Sequence, residues 1–198
     1  MRPQRQGWRR TAQRSAARLG AGACRWWVAI GSRSTARSAH DRRYPRQGAP
    51  LGGGRKRGAD QQAIGRSRGG RTTKIHAAVD EHGRPRRLIV WSGHRGDVLV
   101  APMLIGTLRP AVCIADTAYD SDAFRNLLKA LGTRPVIPNN PTRKRTHPFD
   151  ARTYRRRNVI ERTFSRLKDF RRIATRYDKL ASSFLAAVAI ASIVSYWL

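Results

Sequence analysis

The chain has 198 residues, of which 41 are Lys or Arg and 12 are Asp or Glu, so its formal net charge is +29. This excess of cations excludes a typical enzyme of small uncharged metabolites. It favours a partner that carries phosphates, because each Lys or Arg that meets a phosphate releases condensed counterions. A ribosomal-type or disordered basic chain would have a similar composition. The two cysteines, Cys24 and Cys113, lie in no CxxC pair and predict neither a disulfide framework nor a zinc site.

Residues 1 to 58 are rich in Arg, Ala, Gly and Ser and show no sustained apolar period apart from the run from Trp26 to Ile30. Such a segment buries too little apolar surface to offset its chain entropy. We therefore predict a basic, poorly ordered arm over residues 1–60, with a short helix near residues 11 to 19. The folded domain is predicted over residues 61–198.

The pattern after Gly70 is typical of a folded α/β domain. β-branched and apolar runs predict strands, and polar caps followed by apolar periods predict helices. In chain order the predicted elements are a hairpin of strands (71–79 and 87–91), a helix capped by Asp97 (97–108), a buried strand (111–115), a helix capped by Ser121 and ended by Gly132 (121–131), a short strand (134–137), a helix from 149 or 150 to 169, and a last helix from 182 or 183. This order predicts a mixed sheet covered by helices on both sides.

The C-terminal stretch over residues 184–198, within the last predicted helix, is apolar nearly throughout. It falls short of the roughly 18 to 20 apolar residues that span a bilayer. We therefore expect a helix that closes the core, and no membrane association.

Asp116 follows the buried strand directly. Because ligands of open α/β sheets bind at the carboxyl ends of strands, an acid at this point faces a crevice. An isolated aspartate there serves equally well as a turn or cap residue, so its position alone leaves both roles open.

The predicted helix over residues 150–169 combines an acid with bases and aromatic residues on one face. Steps of three, four, three and four positions bring its members into line. They are Tyr154, Arg157, Glu161, Phe164 and Lys168. An acid among bases is either a salt-bridge partner or a metal ligand beside a phosphate backbone that the bases hold. Phosphodiester cleavage by two metal ions requires both kinds of residue, because Mg²⁺ prefers carboxylate oxygens.

Four stretches of the chain resemble motifs of insertion-sequence transposases with an acidic (DDE) triad, of the insertion-sequence-five group. Together they cover about residues 63–198. They are the GRSRGG and TTKIH stretch (64–76), the AD-x-AYD stretch (115–120), the Y-(2)-R-(3)-E-(6)-K signature (154–168) and the RRIATRYDK stretch (171–179). The resemblance implies an RNase H-like mixed sheet flanked by helices.

By this resemblance Asp116 and Glu161 are the second and third catalytic acids, and both would bind Mg²⁺ or Mn²⁺ at a two-metal site. The implied reaction is metal-dependent DNA cleavage and strand transfer. Its implied partners are terminal inverted repeats, target DNA and further copies of the chain, in the bacterial cytoplasm at the nucleoid. The implied DNA-binding residues are Tyr154, Arg157, Lys168, Arg166, Arg171 and Arg172.

The first catalytic acid of the family is missing. Gly31, in the in-frame run from Val28 to Ser32, stands where that acid should be, so the sheet is expected to be incomplete at its first strand. Residues 41–54 can be back-translated and read one base later as an Ile-Asp-Ala-Thr motif, which suggests that the arm is an out-of-frame remnant. The coding DNA tests this hypothesis. We predict a truncated or frameshifted transposase without activity, and the alternative is a non-catalytic, basic DNA-binding remnant.

Overall fold

The computed structural model describes residues 27–37, 62–67 and 70–198. Seven strands and six α-helices are described, with 3-10 turns between some of them. The strands are β1 (Trp27–Arg37), β2 (Gly65–Ser67), β3 (Gly70–Val79), β4 (Pro85–Ser92), β5 (Val112–Ala115), β6 (Arg134–Val136) and β7 (Thr175–Arg176). The helices are α1 (Ala101–Ile105), α2 (Asp122–Ala130), α3 (Ala151–Tyr154), α4 (Asn158–Asp169), α5 (Arg171–Ala174) and α6 (Ala181–Tyr196).

All seven strands belong to one mixed sheet. Its body has the order β4-β3-β1-β5-β6, while β2 also pairs with β3 and β7 with the far end of β1. The hairpin of β3 and β4 is antiparallel, as is the pairing of β1 with β3, whereas β1, β5 and β6 run parallel. Helices flank the sheet on both faces, so the expected mixed sheet covered by helices is confirmed.

The central strand β1 lies within the segment that we expected to be poorly ordered. Val28, Ala29 and Ile30 are fully buried, so the apolar run of the basic arm supplies core contacts. Long-range pairing with β3 and β5 gives this stretch an order that its local composition does not show. The expectation of poor order therefore does not hold for residues 27–37, and the first strand is 11 residues long. The helix predicted near residues 11 to 19 lies outside the described residues.

Two apolar clusters lie on opposite faces of the sheet. One contains Val28 and Ile30 and packs against α1 and α2. The other contains Ala29 and packs against α4, α5 and α6. Because successive side chains of a strand point to opposite faces, Gly31 belongs to the face of Ala29, and a Cβ on Gly31 would indeed point to Ile160 of α4.

The predicted helix over residues 97–108 is replaced by two shorter elements. Asp97–Leu99 form a 3-10 turn whose N-cap is Gly96, and α1 that follows has five residues, with a proline in its first turn. Asp97 is therefore not the cap that we predicted. Its carboxylate instead accepts hydrogen bonds from Ser32 Oγ (2.5 Å) and Lys74 Nζ (2.6 Å), bonds to strands that no local pattern reveals.

The predicted helix over residues 150–169 is interrupted. Asp150 caps its first turn, as its carboxylate accepts the backbone N–H of Thr153, and α3 ends at Tyr154. Residues Arg155–Arg157 form a 3-10 turn before α4 begins. Phe164 of α4 is buried in the core, whereas Glu161 is exposed. The two residues therefore do not share one exposed helix face, as their spacing had predicted.

The last helix, α6, closes the core on one side as expected: Phe184, Val188 and Ala191 are buried against the sheet. Within the described residues, no helix is long and apolar enough to cross a membrane.

Candidate active site

Asp116 lies at the carboxyl end of β5, next to the central strand. The ladder between β1 and β5 ends with Ile30 opposite Ala115, so Gly31 and Asp116 follow side by side. Asp116 Oδ1 accepts the backbone N–H of Thr117 at 2.7 Å and caps a 3-10 turn. The carboxylate remains 45% exposed, so its second oxygen is open to a partner from outside the sheet.

Glu161 lies in the first turn of α4, and Arg157 brings it together with Asp116. Arg157 Nη2 donates to Glu161 Oε1 at 2.8 Å, and Arg157 Nη1 lies 3.6 Å from Asp116 Oδ2. One guanidinium spans only a few ångströms, so the two acids face a common space. Arg157 also stacks over the ring of Tyr154, with 5.5 Å between guanidinium carbon and ring centroid. Tyr154 in turn packs edge-on against Phe149.

Gly31 occupies the third position around this space. A Cβ at Gly31 would lie 3.0 Å from Ile160 Cγ1 and 3.5 Å from Phe164 Cε2, both on α4 next to Glu161. A side chain here would thus start between β5 and α4, the two elements that carry the acids. Glycine offers no ligand atom, and Ile160 fills part of the room that an acid would need.

The remaining predicted DNA-binding residues lie at increasing distance from the two acids along the chain. Lys168 shares α4 with Glu161 but stands two turns further on. Arg166 places its guanidinium over the Tyr196 ring of α6, 5.3 Å from the centroid. Arg171 is exposed at the start of α5, and Arg172 forms an ion pair with Asp178 at 2.6 Å. Their part in DNA binding stays a prediction.

Exposed arginines that our sequence reasoning did not select lie in the segment just before α4 and Glu161. Arg155 and Arg156 are exposed in the 3-10 turn that leads from Tyr154 to α4, and Arg152 is exposed one turn earlier. Their signal in the sequence is the unbroken run of three arginines that ends in Arg157.

A polar cluster lies under the site, on the sheet face opposite Gly31. Ser32 of β1 and Lys74 of β3 both donate to Asp97, as described above. His76, which pairs with Ser32 across the ladder, is fully buried and shares a 2.8 Å hydrogen bond between Nδ1 and the Tyr119 hydroxyl. The cluster holds the middle of β1, next to Gly31, and through Tyr119 the turn after Asp116, from the opposite face of the sheet.

Burial lowers the pKa of His76 to about 4, an effect that nearby Lys74 increases and Asp97 opposes. Within the described part of the chain Nε2 of His76 has no hydrogen-bond partner, so a proton there would stay unpaired. A folded pKa below the unfolded value of about 6.5 means that the stabilisation is complete above pH 6.5 and is lost as the pH falls towards 4.

We therefore expect the free energy of unfolding to fall by up to about 3 kcal/mol between pH 6.5 and 4 because of His76. Urea unfolding at several pH values measures this loss. Glutamine at position 76 cannot titrate. In His76→Gln the free energy of unfolding should therefore fall much less between pH 6.5 and 4 than it does in the wild type. Equal losses in the two proteins would contradict the assignment.

The residues of the site fit a divalent metal ion only in part. Asp116 and Glu161 offer carboxylate oxygens, the ligands that Mg²⁺ and Mn²⁺ prefer. Among the described residues no group of three or more His, Cys, Asp or Glu side chains could hold a metal ion. The described side chains therefore do not complete a two-metal site, and Gly31 beside the two acids adds no ligand atom.

The family described as the transposase DDE domain matches residues 35–197, and the chain belongs to this family. The chain is 40% identical over 122 residues to a Brucella ovis protein assigned as a transposase for insertion sequence element IS6501; the match covers 61% of this chain and 94% of that protein. It is 29% identical over 137 residues to a Burkholderia cepacia protein assigned as a transposase for IS402, with 63% of each covered.

Among solved structures, the catalytic core domain of BIV integrase is similar to 61% of this chain and 73% of its own. The identity is 21% and the TM-score 0.38.

Proposed function

We propose that this chain is an insertion-sequence transposase that binds DNA but cleaves it poorly or not at all. The observation that carries the proposal is the arrangement of the three corners: Asp116 and Glu161 share Arg157, and Gly31 stands beside them without a ligand atom. The family supports the chemistry of the intact enzyme, which is phosphodiester cleavage and strand transfer. Two carboxylates support at most weak binding of one divalent ion.

In this proposal Asp116 and Glu161 would hold a Mg²⁺ or Mn²⁺ ion, which when bound activates the attacking oxygen and stabilises the charge on the phosphate. Arg157 contacts both carboxylates and balances part of their charge in the absence of metal. The exposed Arg155 and Arg156 bind the DNA backbone next to the acids, and Arg171 and Lys168 extend the basic surface along α4 and α5. Terminal repeats and target DNA are the proposed partners, at the nucleoid.

DNA binding and cleavage by the full chain test the proposal. We expect binding to duplex DNA whose affinity falls steeply with salt, because each neutralised phosphate contributes a slope of about −0.9 to log K against log salt. Nicking of a plasmid that carries the terminal repeats, with Mn²⁺ present, should stay near background. Glu161→Gln should leave the affinity for DNA within about twofold, as one rim charge contributes little.

Glu81→Gln, an exposed acid in the turn between β3 and β4, is the matched control. Strong metal-dependent cleavage that Glu161→Gln abolishes and Glu81→Gln retains would overturn the inactive state. That result would indicate an active transposase instead, in which an acid outside the described residues, such as Asp41, completes the site. A chain that binds no DNA would refute the proposal altogether.

A further inference from the structure

Helix α6 is apolar on its outer side as well as on its inner side. Its inner side is buried against the sheet. Its outer side exposes four large apolar residues with spacings of three, one and three, which form a continuous stripe. They are Ile190 (63% exposed), Ile193 (50%), Val194 (45%) and Trp197 (48%). A helix that is hydrophobic all round is normally covered all round, so the outer stripe indicates a partner.

A groove continues this stripe. It lies between α5 and α6, has a volume of about 220 Å³, and is lined by Phe170, Ile173, Ala187, Ile190 and Ala191, with Arg172 at its edge. Ile190 belongs to both features, so ridge and groove are adjacent on one face. The ion pair of Arg172 with Asp178 gives this face a polar rim. An apolar centre with a polar rim is the usual anatomy of a protein interface.

The chemistry of the stripe argues against several partners. Residues 181–198 contain no charged side chain, although the chain as a whole carries +29. DNA would therefore gain no ion pair there. The segments outside the described residues are rich in arginine, with large apolar residues only at scattered positions such as Trp8, Leu19 and Leu51. If such a segment packed on the stripe, its arginines would lie against an uncharged apolar surface and would find no counter-charge there. A bilayer is not indicated either, because α6 is too short to span one.

A second copy of the chain matches the stripe best. Two molecules with a charge of +29 repel each other over most of their surface, and an uncharged face lets them approach with least repulsion. The stripe exposes on the order of 400 Å² of apolar surface, and the groove and rim bring the face towards the ~800 Å² per partner of a standard interface. A ridge next to a groove on one face is self-complementary, which is the requirement of a two-fold symmetric contact.

We propose that α6 is a homodimer interface, in which the stripe of each copy packs against the α5–α6 groove of the other about a two-fold axis. The contact forms without DNA and does not depend on whether the chain cuts DNA. Arg172 and Asp178 lie at its rim, which removes Arg172 from the predicted DNA-binding set.

Sedimentation equilibrium of the full chain, freed of nucleic acid by nuclease and high salt, tests the proposal. We expect a dimer at micromolar concentrations whose association does not weaken with added salt, because salt screens the repulsion between the two positive charges. Ile193→Asp places a charge in the centre of the stripe and should raise the dimer dissociation constant at least 100-fold. Leu99→Asp is the matched control, because Leu99 is 61% exposed but belongs to the opposite side of the sheet, and it should leave the dimer unchanged.

Circular dichroism and thermal unfolding check that Ile193→Asp is folded, and Ile193→Ser serves as a milder variant with the same expected direction. A monomeric wild-type chain, a dimer that appears only with DNA, or a dimer that survives both Ile193 variants would each overturn the proposal. DNA binding measured on the same samples separates this outcome from a failure of the proposed function.

Discussion

Gly31→Asp should give the chain metal-dependent DNA cleavage that the wild type lacks. The new carboxylate would start beside Asp116 on the face of α4, next to the helix turn that carries Glu161. Three acids would then surround one space, as two-metal chemistry requires. We expect the affinity for Mn²⁺ to rise by at least about 10- to 100-fold, since even changes outside the ligand shell have effects of that size.

Packing sets a cost for this substitution. The new Cβ would lie 3.0 Å from Ile160 Cγ1, so Ile160 must move by a few tenths of an ångström. Ile160 is buried, and overpacking of a core commonly costs about 1–3 kcal/mol. Ile160→Val would not relieve this contact, because valine keeps both γ carbons of isoleucine and lacks only Cδ1.

Gly31→Asn is the matched control, because asparagine has the size of aspartate without its charge. Metal binding is measured by the paramagnetic signal of free Mn²⁺, and cleavage by plasmid nicking. Gain of both in Gly31→Asp, with neither in Gly31→Asn, is the expected result. If Gly31→Asp folds and binds no more Mn²⁺ than Gly31→Asn, position 31 is not the missing corner, and the first acid must come from elsewhere in the chain.

Local signals in the sequence were sufficient for several elements. The β3–β4 hairpin, the buried strand β5 and helix α2 lie within two residues of their predicted bounds. Ser121 caps α2 through the backbone N–H of Phe124, and Gly132 follows it with a φ of 72°, in the left-handed region that favours glycine. These features depend on residues close together in the chain, so a pattern can reveal them.

Features that depend on distant pairing were not predictable. β1 is ordered by strands that lie some 40 and 80 residues further along the chain. Arg176 stands in a basic stretch that we connected with DNA, yet it is 1% exposed and donates to the backbone oxygens of Gln62, Asp178 and Lys179. The composition of a basic chain cannot separate such a structural arginine from one that awaits a phosphate, because both look alike in sequence.

The candidate site also combines residues that the sequence revealed with a feature that depends on the pairing of distant strands. The motif spacing selected Asp116, Arg157 and Glu161, and the structure brings these three together. The in-frame alignment also pointed to Gly31, but its orientation towards α4 follows only from the register of β1 with β5. The out-of-frame reading of residues 41–54 lies outside the described residues and stays a hypothesis for the coding DNA.

Asp120→Asn should destabilise the fold by about 3–5 kcal/mol, the usual cost of removing one member of a buried ion pair. The Asp120 side chain is fully buried and accepts hydrogen bonds from Arg125 Nε (2.7 Å), Arg143 Nε (2.9 Å) and the backbone N–H of Asn140 (2.8 Å). Arg125 is itself only 1% exposed. Asparagine would leave this guanidinium buried without its counter-charge and would turn an N–H group towards other donors.

The pKa of Asp120 supports the same expectation. Burial opposes the charge of the carboxylate, but the N–H of Asn140 and the guanidinium groups of Arg143 and Arg125 outweigh burial, and the pKa lies below its ordinary value. A lowered pKa means that the stabilisation is present above the unfolded value of about 3.9 and is lost as the pH falls through the folded one. The free energy of unfolding of Asp120→Asn should therefore lie furthest below that of the wild type at neutral pH, and the difference should be small at the lowest pH.

Asp122→Asn is the matched control, because Asp122 binds the same Arg143 (2.6 Å) and His147 (2.8 Å) but is 66% exposed. Urea unfolding at pH 7 should show a loss below about 1 kcal/mol for Asp122→Asn, as is usual for exposed ion pairs. A similar small loss for Asp120→Asn would refute the structural role.

Asp116 completes the comparison, since it stands four residues before Asp120 in one motif and is half-exposed. We expect Asp116→Asn to abolish what metal binding the chain retains while changing stability by less than about 1 kcal/mol, and Asp120→Asn to do the reverse. The two acids of the AD-x-AYD stretch would then have separate tasks: one faces the open site, and the other holds the loop after β6 against α2, behind it.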